Sequence, residues 1–318
     1  MKKYGFGVDV GGTTCKLGLF ETTGKLLEKW EIPTDTSDNG INILDDVSSA
    51  IKDKMTEKNI LLSDVQGVGI GVPGPVNEKG EVDHCDNLGW GYVDVVKVLT
   101  DKIGNTIIKV GNDANVAALG EMWQGGANGY KDVVMVTLGT GVGGGIIFNG
   151  KVISGYHGAG GEIGHITINP HETECCGCGR KGCLEQYGSA TGLVRIARKT
   201  LEKPHTESAL DNITEITAKA VFDAYKTGDS VATDIVKEFA GILGRGLSII
   251  SCVADPEIYV IGGGVSKAGT PLIELIREAY RKEAYSSCKD TKFALATLGN
   301  DAGIYGCIQM ILDGSSAS

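Results

Sequence analysis

The sequence predicts an α/β protein of two domains, and three observations support this prediction. The chain has 318 residues, which is the length of about two average domains. Short apolar runs typical of β-strands alternate with segments of helical apolar spacing. A glycine-rich strand–turn–strand block near the start resembles a second block near the middle, so that both halves open alike. We therefore expect two α/β domains that face each other across a cleft.

The first half begins with three predicted strands around glycine turns, over residues 4–10, 16–20 and 25–31. Apolar residues recur at helical spacing over 42–55 and predict a helix there. A buried strand follows over 65–72 and ends at Pro73-Gly74-Pro75. The remaining predicted elements of this half are a helix over 92–103, a strand over 106–110 and a helix over 114–123.

The second half repeats the opening. Strands over 133–138 and 146–148 flank a glycine turn over 139–145, and a Gly-Lys turn follows each block, at 24–25 and at 150–151. Helices are predicted over 189–199, 218–226, 231–253 and 302–312, with a buried strand over 258–261 that ends in Gly262-Gly263-Gly264. Ser-rich residues 314–318 end the chain.

Composition and charge argue against several classes of protein, namely nucleic-acid-binding, membrane and secreted proteins. Lys plus Arg number 30 and Asp plus Glu number 40, a formal net charge of −10, which argues against a nucleic-acid-binding face. No apolar run approaches the ~18 residues of a membrane span, and the Met1-Lys2-Lys3 start does not lead into an export signal. Nine cysteines without a secretory signal are expected to be thiols or metal ligands. We expect a cytoplasmic protein that binds neither nucleic acid nor membrane.

Two glycine- and threonine-rich turns are candidate phosphate sites. In Asp9-Val-Gly-Gly-Thr-Thr14, two glycines let backbone amides approach an anion and two threonines offer hydroxyls. A plain β-hairpin turn explains this motif alone equally well. The second copy, Thr137-Leu-Gly-Thr-Gly141, favours two hairpins that hold a polyphosphate from both sides. Gly262-Gly263-Gly264 is a weaker third signal, for a nucleoside.

Asn112-Asp113 lies where a predicted strand passes into a helix. One interpretation makes Asp113 the N-cap of that helix, since aspartate is among the best capping residues. The other makes it a general base at the carboxyl end of a strand. The two roles are compatible, and spacing alone favours the cap.

The strongest single signal is a predicted zinc site. His165, Cys176, Cys178 and Cys183 supply one imidazole and three thiols, which are the four ligands of a structural tetrahedral zinc. A redox-active dithiol is the alternative, and Cys175 is expected to be a bystander. A metal loop would also hold Glu162 and Glu185 in place, and carboxylates are good partners for sugar hydroxyls.

In combination these motifs resemble the ROK family (repressors, open reading frames, kinases), in particular its glucokinases, from end to end. The resemblance rests on the following segments: Asp9-Val-Gly-Gly-Thr-Thr14, Gly71-Val-Pro-Gly-Pro-Val76, Gly111-Asn-Asp-Ala-Asn-Val-Ala-Ala-Leu-Gly-Glu121, Leu138-Gly-Thr-Gly-Val-Gly-Gly-Gly145, Gly161-Glu-Ile-Gly-His165, the cysteine loop and Asn87-Leu-Gly-Trp90. It implies two ribonuclease-H-like domains of the actin/hexokinase type with a central cleft. The implied limits are 1–115 and 116–299, with a final helix over about 300–318 that packs back on the first domain.

The resemblance also implies a role for each motif residue. Asp113 would take the proton from the sugar 6-hydroxyl, and Asp9 would lie near Mg²⁺. The implied sugar-binding residues are Gly74, Asn112, Asp113, Glu162, His165 and Glu185. The implied phosphate-binding residues are Gly11, Gly12, Thr13, Thr14, Thr137, Gly139, Thr140 and Gly141. Gly263 and Gly264 would lie against the adenosine.

The implied activity is the phosphorylation of glucose by ATP at the 6-hydroxyl, with Mg²⁺, a structural Zn²⁺ and a homodimer. Relatives that act on N-acetylmannosamine, N-acetylglucosamine or fructose use much the same residues, so another hexose is an alternative. A non-catalytic sugar sensor is a second alternative, which the presence of Asp113 and both hairpins disfavours. Repressors of the family carry a DNA-binding segment before the first hairpin, and the predicted first strand at Tyr4 leaves no room for one.

Overall fold

The computed structural model describes residues 2–313. Its strands are β1 (Tyr4–Val10), β2 (Thr14–Glu21), β3 (Leu26–Pro33), β4 (Val65–Val72), β5 (Glu81–Val82), β6 (Val93–Asp94), β7 (Ile107–Asn112), β8 (Val133–Leu138), β9 (Val142–Phe148), β10 (Lys151–Val152), β11 (Ile258–Gly262) and β12 (Lys292–Leu295). Its α-helices are α1 (Ile43–Glu57), α2 (Val95–Ile103), α3 (Asp113–Gln124), α4 (Glu185–Gly188), α5 (Ala190–Leu201), α6 (Ala218–Lys226), α7 (Ser230–Ala254), α8 (Thr270–Glu283) and α9 (Ala302–Asp313).

Two five-stranded sheets have the same strand order. The first runs β3-β2-β1-β4-β7 and the second β10-β9-β8-β11-β12. In the first, β1, β2 and β3 pair antiparallel while β1, β4 and β7 are parallel. In the second, β8, β11 and β12 are parallel and β10 pairs antiparallel with β9. The predicted α/β class is confirmed, and the repeat seen in the sequence corresponds to these two sheets.

The chain divides by its contacts into two compact units. The first comprises the residues up to Gly129, Gly145–Gly161 and the residues from Leu298, and the second comprises Tyr130–Gly144 and Glu162–Thr297. The domain limits that the resemblance implies, 1–115 and 116–299, stay a prediction. The last five residues of the predicted segment over about 300–318, which include the Ser-rich end, lie outside the described residues.

Two predicted elements differ from the structure. The predicted helix over 92–103 begins with a short strand, because Val93–Asp94 pairs with β5 and Asp94 then caps α2 by accepting from the Lys97 N–H at 2.9 Å. The predicted glycine turn over 139–145 is shorter, since β9 already begins at Val142. Gly145 therefore lies in a strand, where a Cβ would be 2.6 Å from the Ala118 side chain.

The sequence prediction omitted several elements, above all α8 and β12. Helix α8 buries Leu272, Ile273, Ile276 and Tyr280, which have helical spacing, and it carries proline in its first turn. That signal was available in the sequence. The short elements α4, β5, β6 and β10 are too brief for periodicity to reveal.

Strand β1 explains the glycine pattern of the first unit. Phe6, Val8 and Val10 are buried in the main core of this unit. The alternate positions, Gly5 and Gly7, face α9 instead, because a Cβ at Gly7 would lie 2.2 Å from the Ile304 carbonyl oxygen. One face of the strand thus carries large apolar side chains, while the other is bare so that a helix backbone can lie against it.

Helix α9 makes equally close contacts with β4 and α3. A Cβ at Gly69 would lie 2.0 Å from the carbonyl oxygen of Cys307. A Cβ at Gly120 would lie 2.1 Å from that of Ala302, and one at Gly306 would lie 1.7 Å from that of Val116. These glycines are required by backbone-to-backbone packing, and they fix α9 between the first sheet and α3.

The second unit is built around the 25-residue helix α7. A hydroxyl network in its core joins Ser251 of α7 to Tyr259 of β11 at 2.9 Å and to Tyr280 of α8 at 2.7 Å. These buried polar groups are therefore satisfied and fix the helices in register with the sheet. Within residues 2–313, no helix combines the length and the apolar character that a bilayer crossing would need.

The close contact of α9 with β4 gives the first prediction. Gly69→Ala should lower the free energy of unfolding by about 1–3 kcal/mol. The reason is that its Cβ would overlap the backbone of α9, which cannot move independently. Gly71→Ala is the matched control on the same strand, since its Cβ would meet neighbours at an ordinary 3.6 Å. Urea unfolding of both variants measures the difference, and equal stabilities would contradict the packing argument.

Candidate active site

Asp9 is the next-to-last residue of strand β1 in the first unit. The carboxyl ends of the parallel strands β1, β4 and β7 lie at one edge of the sheet, where Asp9 pairs with Gly71 and Val72 pairs with Asn112. Ligands of open α/β sheets bind at this edge. Lys16 lies directly opposite Asp9 on β2. Burial raises the pKa of Asp9 to about 6, the charge of Lys16 lowers it, and the charge of Asp113 raises it.

Asp9 also packs on the first turn of α9. A Cβ at Gly303 would lie 2.6 Å from Asp9 Cγ and 2.7 Å from its Oδ2. Lys16 Nζ donates to the Asn300 carbonyl, just before this helix, at 3.3 Å. The position of the Asp9 carboxylate is therefore set by the start of the last helix, far away in sequence.

The first glycine-threonine turn joins β1 to β2. The Gly11 N–H donates to the Thr14 carbonyl at 3.1 Å and closes the hairpin. Gly12 and Thr13 at its tip are exposed. The predicted phosphate residues of this unit are therefore accessible to a ligand and lie next to Asp9.

The structure changes the interpretation of the segment that begins α3. Asn112, rather than Asp113, is the N-cap, because its Oδ1 accepts from the N–H groups of Ala114 at 3.1 Å and Asn115 at 3.2 Å. Its Nδ2 donates to the Gly74 carbonyl at 3.1 Å. Two predicted sugar-binding residues are thus in contact. Asp113 is the first helical residue, and its Oδ1 accepts from the Ala114 N–H at 2.8 Å.

The second glycine-threonine turn lies in the second unit, between β8 and β9. Thr137 in β8 pairs with Gly262 in β11, so this turn and the Gly262-Gly263-Gly264 segment share one sheet edge. Gly263 has a φ of +83°, and a Cβ there would lie 2.4 Å from the Leu138 carbonyl oxygen. Only glycine fits at this position, where the backbone after β11 passes against the hairpin.

Glu185 connects this turn to the cysteine loop. Its Oε2 accepts from the Val142 N–H at 3.0 Å, and its Oε1 lies 3.5 Å from Cys176 Sγ. Gly141 has no side chain at the point of contact, where a Cβ would be 2.2 Å from Glu185 Oε2. The sequence predicted Glu185 for sugar binding, and its contact with the hairpin was not foreseen.

The structure brings the four predicted metal ligands together. One ligand atom from each of His165, Cys176, Cys178 and Cys183 lies within 4.8 Å of all the others. Cys178 Sγ is 3.7 Å from Cys183 Sγ, and Cys176 Sγ is 3.8 Å from His165 Nδ1. A tetrahedral site with Zn–S bonds of about 2.3 Å has edges of about 3.7–3.8 Å, so the cluster fits a zinc ion. Cys175 is not a member of the cluster.

His165 presents its two ring nitrogens to different neighbours. Nδ1 faces the cysteine cluster, while Nε2 lies 3.9 Å from Glu162 Oε2. A metal on Nδ1 would leave Nε2 with its proton, so that the ring donates a hydrogen bond on the side of Glu162. One histidine can therefore hold a metal and bind a ligand hydroxyl.

A half-buried ion pair supports the cysteine loop and was missed in the sequence. Arg195 of α5 donates to Glu172 Oε2 at 2.6 Å and lies over the Tyr187 ring at 5.1 Å. Hydrogen bonds from the Glu174 backbone and the Tyr187 hydroxyl, together with that from Arg195, lower the pKa of Glu172 to about 2. Charged residues of loops and helices give no periodic signal, so only the folded chain reveals this pair.

Next to this pair is a cavity of about 580 Å³ that sequence analysis also missed. Thr140 of the second turn lines it, together with Thr191, Arg195 and Arg198 of α5 and Thr217 before α6. The cavity therefore continues from the predicted phosphate site over a surface that includes two arginines.

Fold and site together define a class of α/β proteins with two sheets of one order, a glycine-threonine hairpin in each, and a His-Cys cluster suited to zinc. Residues 5–313 match the ROK family, and the chain belongs to that family. A glucokinase from Halalkalibacterium halodurans is 42% identical over 306 residues, which cover 94% of this chain and 92% of that protein.

Solved structures have the same fold. A ROK family glucokinase from Streptomyces griseus, in complex with glucose and AMPPNP, matches with a TM-score of 0.74 and 32% identity, covering 96% of this chain and 98% of that one. The ROK hexokinase from Thermus thermophilus matches with a TM-score of 0.82 and 29% identity, covering 99% of this chain and 100% of that one. The hexokinase-type fold that the resemblance implies is confirmed.

The raised pKa of Asp9 predicts a pH-dependent stability. Its pKa is about 6 in the fold against an ordinary value of 3.8, so between these pH values the folded protein binds more protons than the unfolded chain. Without nucleotide or Mg²⁺, the free energy of unfolding of the wild type should therefore fall, relative to that of Asp9→Asn, as the pH rises from about 4 to 6.

Urea unfolding of both proteins at several pH values measures this difference. Asp101→Asn, which changes an exposed carboxylate on α2, is the control and should parallel the wild type. A gap between wild type and Asp9→Asn that stays constant across this pH range would contradict the raised pKa.

Proposed function

We propose that this protein phosphorylates glucose at the 6-hydroxyl with ATP. The observation that carries the proposal is the pair of carboxylates at one sheet edge, where Asp113 begins α3 close enough to Asp9 to raise its pKa. One carboxylate can accept a proton while the other remains near the phosphates. The glucokinase from Halalkalibacterium halodurans, 42% identical over nearly the full chain, supports glucose as the substrate.

In the first unit, Asp113 acts as the general base on the 6-hydroxyl, while Asn112 and the backbone at Gly74 bind sugar hydroxyls. The contact between Asn112 and Gly74 supports this assignment, since it holds both groups at the strand ends beside Asp113. Gly11, Gly12, Thr13 and Thr14 bind phosphate oxygens. Asp9 offers a carboxylate oxygen, which is the ligand type that Mg²⁺ prefers, and Mg²⁺ would neutralise charge on the phosphates.

In the second unit, Glu162, His165 and Glu185 bind sugar hydroxyls. Thr137, Gly139, Thr140 and Gly141 bind phosphates, and Gly263 and Gly264 lie against the adenosine. The cavity of about 580 Å³ beside Thr140 is large enough for a nucleoside and supports a nucleotide site next to this turn.

Zinc is proposed as a structural ion held by His165, Cys176, Cys178 and Cys183. Four protein ligands complete a tetrahedron and leave no open position for catalysis. The role of the ion is then to fix the loop, and with it the Nε2 of His165 and the carboxylate of Glu185.

The mechanism is positioning and electrostatic stabilisation. Phosphoryl transfer needs an in-line nucleophile and neutralisation of charge more than covalent help from the protein. Asp113 orients the 6-hydroxyl and accepts its proton, and the amides of the two turns donate to phosphate oxygens. The cytoplasmic location and the homodimer expected from the sequence stay predictions.

A coupled phosphorylation assay with MgATP tests the proposal. The panel is glucose, mannose, fructose, N-acetylglucosamine and N-acetylmannosamine. We expect the highest kcat/KM with glucose. A preference for an acetylated or keto sugar would mean that the protein is a kinase of another hexose. No turnover on any sugar by folded, zinc-loaded protein would favour the sugar-sensing alternative.

Removal of the proposed base should abolish turnover. Asp113→Asn keeps the shape of the side chain and an oxygen for the Ala114 N–H, yet it cannot accept the proton. We expect kcat to fall by about 10²–10⁴-fold while KM for glucose changes only a few-fold. Steady-state kinetics decide this, with Asp101→Asn as the control, and a kcat within tenfold of the wild type would exclude Asp113 as the base.

Loss of one zinc ligand should disturb the sugar site. We expect Cys178→Ser to lose bound zinc and to raise KM for glucose, because the loop would no longer fix His165 and Glu185. Metal analysis and kinetics measure both effects. Cys175→Ser is the matched control, since Cys175 is adjacent in sequence but outside the cluster. Full zinc content with normal KM for glucose in Cys178→Ser would contradict the assignment.

A further inference from the structure

Thr34, which follows strand β3, forms two hydrogen bonds to the first glycine-threonine turn. Its hydroxyl donates to the Gly11 carbonyl at 2.7 Å, and its backbone N–H donates to the Thr13 carbonyl at 3.0 Å. One residue thus binds two carbonyls of the turn. No motif of the sequence included this residue.

These two bonds determine where the amides of the turn point. In a trans peptide the carbonyl and the following N–H lie on opposite sides. Because the carbonyls of Gly11 and Thr13 point to Thr34, the N–H groups of Gly12 and Thr14 point away from it. Backbone N–H groups aligned in this way form an anion-binding concavity.

The Thr34 hydroxyl is itself fixed. Its oxygen lies 3.3 Å from Cys15 Sγ, and since its only proton goes to Gly11, the thiol is the donor. Cys15 is buried on β2 with 1% exposure. The buried Cys15 thiol therefore helps to hold the hydroxyl in the rotamer that reaches the turn.

Two carbonyls of the second turn are also bound from outside the turn, here by helix α5 and at different turn positions. The Ala190 N–H, at the start of α5, donates to the Gly139 carbonyl at 2.8 Å, and the Thr191 hydroxyl donates to the Thr140 carbonyl at 2.8 Å. The N–H groups of Thr140 and Gly141 consequently point away from α5. A threonine hydroxyl thus holds a turn carbonyl in each unit, once from a strand end and once from the first turn of a helix.

We propose that Thr34 and Thr191 are positioning residues for phosphate binding, each holding the peptides of one turn so that N–H groups rather than carbonyls face the phosphates. This inference rests on the proposed function, because it takes the turns as the phosphate sites. Without the hydroxyl, the released peptide can rotate and direct a carbonyl oxygen at a phosphate oxygen, which repels it.

Valine and serine variants of the full-length protein separate this role from packing. Thr34→Val and Thr191→Val keep the side-chain shape and lose the hydroxyl, while Thr34→Ser and Thr191→Ser keep the hydroxyl. We expect each valine variant to raise KM for MgATP and the Kd for AMPPNP by about tenfold, the loss typical of one hydrogen bond, with KM for glucose within twofold. Each serine variant should stay within about threefold of the wild type.

Kinetics at saturating glucose and calorimetric titration of AMPPNP provide these values, and thermal unfolding shows which variants are folded. If Thr34→Val does not fold, Thr34→Ala takes its place. Equal values for the valine and serine variants would overturn the inference for that threonine, and so would a rise in KM for glucose as large as that for MgATP.

These measurements distinguish failure of the proposed function from failure of the inference about the two threonines. A wild type that phosphorylates no sugar but binds AMPPNP removes the proposed function, and the AMPPNP titrations then test the two threonines alone. A wild type that binds no AMPPNP overturns both, because the turns would not be nucleotide phosphate sites.

Discussion

Four glycines let helix α9 lie at backbone distance from β1, β4 and α3, and the site in the first unit depends on this contact. Gly69 and Gly306 mark the tightest approaches, where a single methyl group would overlap a carbonyl oxygen. The same helix presents Gly303 to the Asp9 carboxylate. Because interiors are packed to crystalline density, a helix held so closely cannot drift, and the carboxylate beneath it cannot either. This close packing has a cost in conformational entropy, because glycine loses more backbone freedom on folding than any other residue.

In the second unit the cysteine cluster has a comparable role. Glu185 contacts both Cys176 and the backbone of the second turn, so that the loop with the metal ligands and the turn share one carboxylate. The half-buried pair of Arg195 and Glu172 adds a second connection from this loop to α5, whose first residues bind the carbonyls of the turn. A structural ion in this cluster would therefore act on the proposed sugar and phosphate sites through ordinary hydrogen bonds, without contact to either proposed ligand.

Much of the fold was predictable from local patterns. Strand β4 and helix α6 have the bounds that the sequence predicted, because a continuous buried strand and an amphipathic helix carry strong periodic signals. The extent of β9 was not predictable, since glycine has little strand propensity and the strand includes three consecutive glycines, the last of which packs against Ala118. The N-cap of α3 was not predictable from spacing either, because two adjacent residues, Asn112 and Asp113, can both cap. In the structure Asn112 accepts from two N–H groups of the first turn and also donates to the Gly74 carbonyl.

Local patterns in the sequence are enough to predict the α/β class, the repeated opening of the two sheets, the four residues of the His-Cys cluster and the two glycine-threonine turns. Each of these features depends on residue types at short, regular spacing, so it can be found from the local sequence. Other contacts appear only in the folded chain: Thr34 and Thr191 bind carbonyls of the turns, Glu185 joins one turn to the cysteine loop, and Gly303 packs against the Asp9 carboxylate. Each of those contacts joins residues distant in sequence, and a distant pair leaves no pattern along the chain until folding brings its atoms together.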